Sequence, residues 1–242
     1  MLALAATICV AAAKPPADAP DWLPGAVIAS LPRAAATPAG FAPRGWRVEQ
    51  TVQGDLNHDG RPDVVVILKG DDPACRVTPP GQSEAVDTNP RIVMVAFGTS
   101  GGFALQLANS AVIPRLDDPY MDDPIEECGT GCGLTVHGDV IRLGVRNWRS
   151  AGGWSTNINT LSFRWNGRQF ALIGFDRETL QRNSGETETL SANFTTGRMS
   201  IAKGSIESDR PGRPRWSRLP RRPFQTLETV GSAFEVGSDL GG

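Results

Sequence analysis

The sequence predicts an all-β protein: a single antiparallel β-meander domain, sandwich or barrel-like, between extended Pro-rich N- and C-terminal segments. Three observations predict it. Past Trp46 the apolar residues come in short runs, many alternating with a period of two. Gly, Asn, Asp and Pro separate the runs at the spacing of turns. Several of the runs are rich in β-branched and aromatic residues, which suit a pleated sheet.

In chain order, residues 1–13, MLALAATICVAAA, form an apolar run ending in small residues before Lys14, and read as a signal peptide cut after Ala13. The expected location is therefore periplasmic or secreted. Residues 14–44 are an Ala/Pro-rich lead-in whose prolines, from Pro15 to Pro43, forbid any long helix. Trp22, Leu23, Val27, Ile28 and Leu31 are available to dock part of it on the domain.

The β-domain is expected over residues 45–204. Val64 to Leu68 is a continuous apolar run suited to a strand buried on both faces. Arg91 to Phe97 and Phe103 to Ala108 form a hairpin about Thr99–Gly102, and Leu134 to His137 and Val140 to Val145 flank the turn pair Gly138-Asp139. Leu161, Phe163 and Trp165 alternate with polar residues, and Asn166-Gly167 predicts a two-residue type I′ turn into a strand with Phe170 and Leu172. Glu186 to Thr195 and Arg198 to Ala202 complete the set. Gly70 to Pro90 and Arg115 to Gly133 read as loops. Residues 205–242 are an Arg/Pro-rich surface segment and C-terminal tail, with Arg210, Arg213, Arg215, Arg218, Arg221 and Arg222 among prolines.

Composition bounds the partners. With 242 residues, 40% of them hydrophobic, the chain can bury a core, and 24 basic against 26 acidic residues give no overall charge to attract nucleic acid. No segment of the mature chain approaches the roughly 20 apolar residues of a transmembrane helix.

One motif carries chemistry by its spacing. Asp55, Asn57, Asp59 and Asp63 occupy positions 1, 3, 5 and 9 of an oxygen-ligand loop, with Arg61 offering its carbonyl and Gly60 at the sharp turn. Calcium is the expected cofactor. Position 12 of a helix-loop-helix calcium hand is a bidentate Glu; here it is Val66, inside the apolar run, which disfavours that motif. The pattern D-x-N-x-D-G-x-x-D followed by apolar residues instead resembles the strand-loop-strand calcium loops of FG-GAP and VCBS repeats, present once. Together with Gly45-Trp46, Asp118-Pro119-Tyr120, Gly152-Gly153-Trp154, Phe163-Arg164-Trp165 and Leu172 to Asp176, the chain looks like uncharacterised exported bacterial proteins that carry one such loop ahead of a β-rich domain. That resemblance implies an exported β-domain and transfers no catalytic residue.

Cys75, Cys128 and Cys132 are the disulfide candidates of the mature chain, in three possible pairings. Among the acids of the 117–127 loop, Asp122 and Glu126 are candidate ligand contacts, and a carboxylate pair there would suit a glycoside-directed hydrolase. Trp148 and Trp154 bracket a Gly-containing loop and suit sugar stacking or packing at the sheet edge. The two histidines, His58 and His137, form no catalytic motif with their sequence neighbours. The leading expectation is a non-enzymatic binding or cell-envelope-associated module, with a cell-envelope polymer or carbohydrate as partner; the alternative is the secreted hydrolase.

Overall fold

The computed structural model describes residues 24–78, 83–116, 120–126, 131–208, 212–221 and 223–240, so the expected signal peptide lies outside the described residues. The elements run, in order, α1 (Pro24–Ser30), β1 (Ala34–Ala35), β2 (Trp46–Gly54), β3 (Asp63–Gly70), β4 (Arg76–Val77), β5 (Val86–Asp87), β6 (Arg91–Thr99) and β7 (Gly102–Asn109). They continue with β8 (Gly133–His137), β9 (Val140–Asn147), β10 (Ser155–Trp165), β11 (Phe170–Gln181), β12 (Glu186–Asn193), β13 (Arg198–Ser205) and β14 (Arg215–Arg218). The protein is all-β. Its strands form a five-stranded sheet in the order β1-β7-β6-β3-β2, a seven-stranded sheet in the order β14-β13-β12-β11-β10-β9-β8, and a β4-β5 ribbon. All the pairings are antiparallel.

The two large sheets share one core. Val65, Ile67, Val93, Val95 and Leu107 of the first sheet meet Leu143, Val145, Leu161, Phe163, Phe175 and Leu190 of the second. Successive side chains of a strand point to opposite faces, so the alternate residues Val64, Val66, Leu68, Ile92 and Met94 need a second cover. The lead-in supplies it. Val27 and Leu31, in and just past the short helix, and Phe41 of a 3₁₀ turn are buried against that face. Val64 to Leu68 of β3 are buried at every position, as their unbroken apolar run predicts, and the flanking Asp63, Lys69 and Gly70 are buried as well.

The far end of the chain closes the shared core. Leu227, Val230, Ala233, Val236 and Leu240 join it. Asn109 fixes that segment by donating from Nδ2 to the carbonyls of Leu227 (2.7 Å) and Val230 (2.9 Å) while its Oδ1 accepts from Ala111 and Val112. Arg177 adds a hydrogen bond to the Leu240 carbonyl at 2.9 Å.

Turn chemistry departs from the sequence reading at one hairpin. Asn166-Gly167 belongs to a four-residue connection, 166–169, not to a two-residue type I′ turn. The Asn166 side chain accepts from the N–H groups of Arg168 and Gln169, both at 3.0 Å, and only Gly167 of the pair has positive φ. Gly138-Asp139 does form a two-residue turn, with Gly138 at φ 61°. Within regions read as loops or extended surface, the chain adds the short strands β4, β5 and β14.

Asn109 makes four hydrogen bonds in a buried site. Asn109→Ala is expected to lower the free energy of unfolding by about 2–4 kcal/mol. Urea denaturation measures this, and a loss within error of zero would mean that the C-terminal segment docks without it.

Candidate functional site

The Asp55–Asp63 loop is the turn of the β2–β3 hairpin. It curls because its side chains accept from its own backbone. Asp55 takes the N–H groups of Asp59 (3.1 Å) and Gly60 (3.0 Å), Asn57 Oδ1 also takes Asp59 N–H, and Asp59 takes that of Arg61 at 2.9 Å. His58 and Gly60 sit at φ 60° and 80°, the left-handed corners of the curl. Asp63 faces inward and is fully buried, its carboxylate accepting from Leu56 N–H (2.9 Å) and Gly98 N–H (2.8 Å). Burial pushes its pKa above the usual carboxylate value, against the pull of those N–H groups. The loop therefore joins β2, β3 and the end of β6. His58 Nε2 also lies 3.2 Å from Asp139 in the β8–β9 turn, and Arg164 lies 3.0 Å from the same carboxylate. His58 and Arg164 hold the Asp139 pKa below the usual value although burial raises it. Asp55, Asn57 and Asp59 present the hard oxygen donors that calcium takes. Among the described residues, no three His, Cys, Asp or Glu side chains converge as a metal-holding group.

The acids near residue 120 divide between two places. Side chains of Lys69 and Arg91 extend the inward rows of β3 and β6 past the end of the shared core and are almost wholly buried. Glu49, the extra residue of a β2 bulge between Val48 and Gln50, binds Arg91 through both oxygens at 2.6 and 2.9 Å. A bulge re-aims a side chain in this way. Asp123 lies 2.7 Å from Arg91 and 3.6 Å from Lys69, Glu126 lies 3.4 Å from each, and Asp87 lies 3.3 Å from Lys69. Burial lowers the Arg91 pKa in isolation, but Glu49 and Asp123 raise it further. Asp122 points elsewhere, 3.4 Å from Arg146. The Arg146 and Arg182 guanidinium groups lie over the Trp148 ring, at 5.5 and 5.0 Å, so Asp122 and Trp148 share a cluster from which Glu126 is absent. Trp154 is 64% exposed.

The seven-stranded sheet turns its outer face to a recess of about 550 Å³. Thr135 and His137 of β8, Arg142 of β9, Thr160 of β10, Asp176 and Glu178 of β11 and Thr189 of β12 line it. Each has the strand parity opposite to that of the inward-facing row, which is why all share one face. Asp176 lies 3.6 Å from Arg142 and accepts from Ser191 Oγ at 2.6 Å. Gly131 and Cys132 form one wall, where a Cβ at Gly144 would collide with the Gly131 carbonyl.

Cys75 is buried as a thiol, 3.8 Å from the Arg115 guanidinium. No disulfide joins two cysteines among the described residues. Cys128 lies outside them.

Comparison with known protein families, with curated proteins and with solved structures finds no match. The Lys69–Arg91 network and the groove were missed from sequence. A lysine closing an apolar run was the only signal for the first, and alternating polar residues on β10 to β12 for the second.

Removing one partner of a buried ion pair leaves a stranded charge. Arg91→Met is expected to cost about 3–5 kcal/mol of stability by chemical denaturation, whereas Arg76→Ala, which breaks an exposed pair with Asp71, should cost under about 1 kcal/mol. Equal losses would count against the network. Burial raises the Asp87 pKa, but hydrogen bonds from Asn89 and the charge of Lys69 outweigh it, so the folded value is lowered. Asp87 therefore contributes stability above its ordinary pKa, and that contribution fades as pH falls below about 4. In an acid series of denaturation curves, Asp87→Asn should flatten this fall; an unchanged slope would refute the assignment.

Proposed function

We propose that the chain is an exported, calcium-clamped β-domain that acts as a non-enzymatic binding module, with its ligand on the outer groove of the seven-stranded sheet. One observation carries the choice of module over hydrolase. Asp123 and Glu126 are engaged by Lys69 and Arg91, where they plug the end of the core, while the recess of about 550 Å³ opens on a sheet face with one guanidinium, two carboxylates, a histidine and several hydroxyls. Such donors and acceptors suit a polyhydroxylated ligand, a carbohydrate or envelope polymer. Export is supported by the apolar run at residues 1–13, which ends in small residues before Lys14. No helix among the described residues is long and apolar enough to cross a membrane.

Asp55, Asn57, Asp59 and the Arg61 carbonyl would hold the ion, with Asp63 behind them. Asp55 and Asp59 each retain lone pairs beyond their backbone hydrogen bonds. A bound cation would offset the mutual repulsion of carboxylates brought together by the curl and would fasten the β2–β3 turn beside β6 and the β8–β9 turn. Its role here is mechanical.

Calorimetric titration of the purified protein should give a calcium dissociation constant of roughly 0.1–1 mM, the range of extracellular modules. Calcium should also raise the melting temperature, and both effects should vanish in Asp55→Ala and Asp59→Ala; no heat and no thermal shift would end the calcium reading. For the groove, affinity electrophoresis in gels cast with envelope polysaccharides should show retardation without release of reducing ends. Arg142→Ala and Asp176→Ala should abolish it. Release of reducing ends that Glu126→Gln or Asp122→Asn eliminates would establish the hydrolase instead.

A further inference from the structure

We infer that the edge of the seven-stranded sheet at β14 is a docking surface for an anionic lipid bilayer. Residues 210–227 contain six arginines and no acidic residue. Pairing of β14 with β13 sets Trp216 opposite Ser200 and Arg218 opposite Arg198. Alternation then brings Arg198, Trp216 and Arg218 to the outer face, and the Arg198 guanidinium lies 5.0 Å from the Trp216 ring. The Leu219 N–H donates to the Gly197 carbonyl at 2.9 Å, folding the chain beyond β14 onto the β12–β13 turn. There an apolar recess of about 310 Å³ is lined by Leu172, Phe194, Leu219, Pro220, Pro223 and Phe224, with Arg221 at its side.

Two properties of this surface are satisfied together at a charged membrane. Trp216 and Phe224 are 60% and 64% exposed, and water is a poor solvent for both rings. Among the described residues, none of Arg198, Arg213, Arg215, Arg218 and Arg221 makes an ion pair, so their charges are open to an anionic partner. A hydrophilic polyanion would neutralise the arginines and leave Phe224 in water. An apolar protein face would cover the rings and strand the charges. Anionic headgroups above an apolar layer satisfy both, with aromatic rings at headgroup depth and guanidinium groups on phosphates. Two weak signals, one electrostatic and one apolar, also suit a reversible peripheral contact.

The test is co-sedimentation of the full chain with phosphatidylcholine vesicles, with and without phosphatidylglycerol. Binding is expected only with the anionic lipid and should fall as salt rises. Arg218→Gln with Arg221→Gln should weaken partition about thirtyfold. Trp216→Ala with Phe224→Ala should weaken it about tenfold or more, while retention on heparin stays unchanged. Trp154→Ala, an exposed tryptophan elsewhere, should pellet like the parent protein, and circular dichroism checks that each variant is folded. Three results would overturn the proposal: equal or absent pelleting with the two lipid mixtures, aromatic variants that bind vesicles as well as the parent, or a concentration-dependent dimer lost in the β14 variants. The second would make a hydrophilic polyanion the occupant, the third a second copy of the chain.

Discussion

Burial of β3 on both faces is the constraint from which the rest of the architecture follows. A strand whose residues 64 to 68 are all apolar must be covered twice. One cover is the seven-stranded sheet, which closes over Val65 and Ile67. The other is the lead-in, which seats Phe41, Val27 and Leu31 over Val64, Val66 and Leu68. A segment whose prolines exclude long secondary structure thus becomes part of the core, because a short helix and a 3₁₀ turn suffice to present three apolar side chains.

The same rows explain the buried charges. Continuing β3 and β6 places Lys69 and Arg91 next in the inward rows after Ile67 and Val93, whose side chains belong to the shared core. Their charges attract Glu49 through a bulge, Asp87 from the β4–β5 ribbon, and Asp123 and Glu126 from the segment that closes this end. Ile125, between those two acids, packs against the core. The acidic stretch is therefore amphipathic in use, with Met121, Pro124 and Ile125 turned inward and carboxylates between them registering it on the cations. Charge pairing of this kind favours one docking geometry, since a shifted segment would take the Asp123 and Glu126 carboxylates away from Lys69 and Arg91 and leave Glu49 and Asp87 as their partners.

The remaining polar chemistry lies on the surface in two distinct forms. On the outer face of β8 to β12 both signs of charge mix with hydroxyls around a recess, a composition suited to a neutral polar ligand. At the β14 edge a single sign of charge accompanies exposed aromatic rings. The proposed ligand groove and the proposed bilayer contact thus draw on different strands of one sheet, β8 to β12 for the first and β13 and β14 for the second.

The sequence by itself determined what depends on neighbours a few residues apart: the all-β class, the hairpins at Gly138-Asp139 and Thr99–Gly102, the curled Asp55–Asp63 turn and the double-faced β3. In each, period-two alternation or a turn residue acts locally, and the outcome needs no distant partner. Tertiary structure decided what depends on meetings across the chain. Glu126 joined Arg91 while Asp122 joined Arg146, which no spacing within residues 117–127 could distinguish. The C-terminal tail became core because Asn109 captures two of its carbonyls from more than a hundred residues away. Arg215 to Arg218 became an edge strand because β13 offered an unpaired edge, although arginine-rich sequence carries little strand preference of its own.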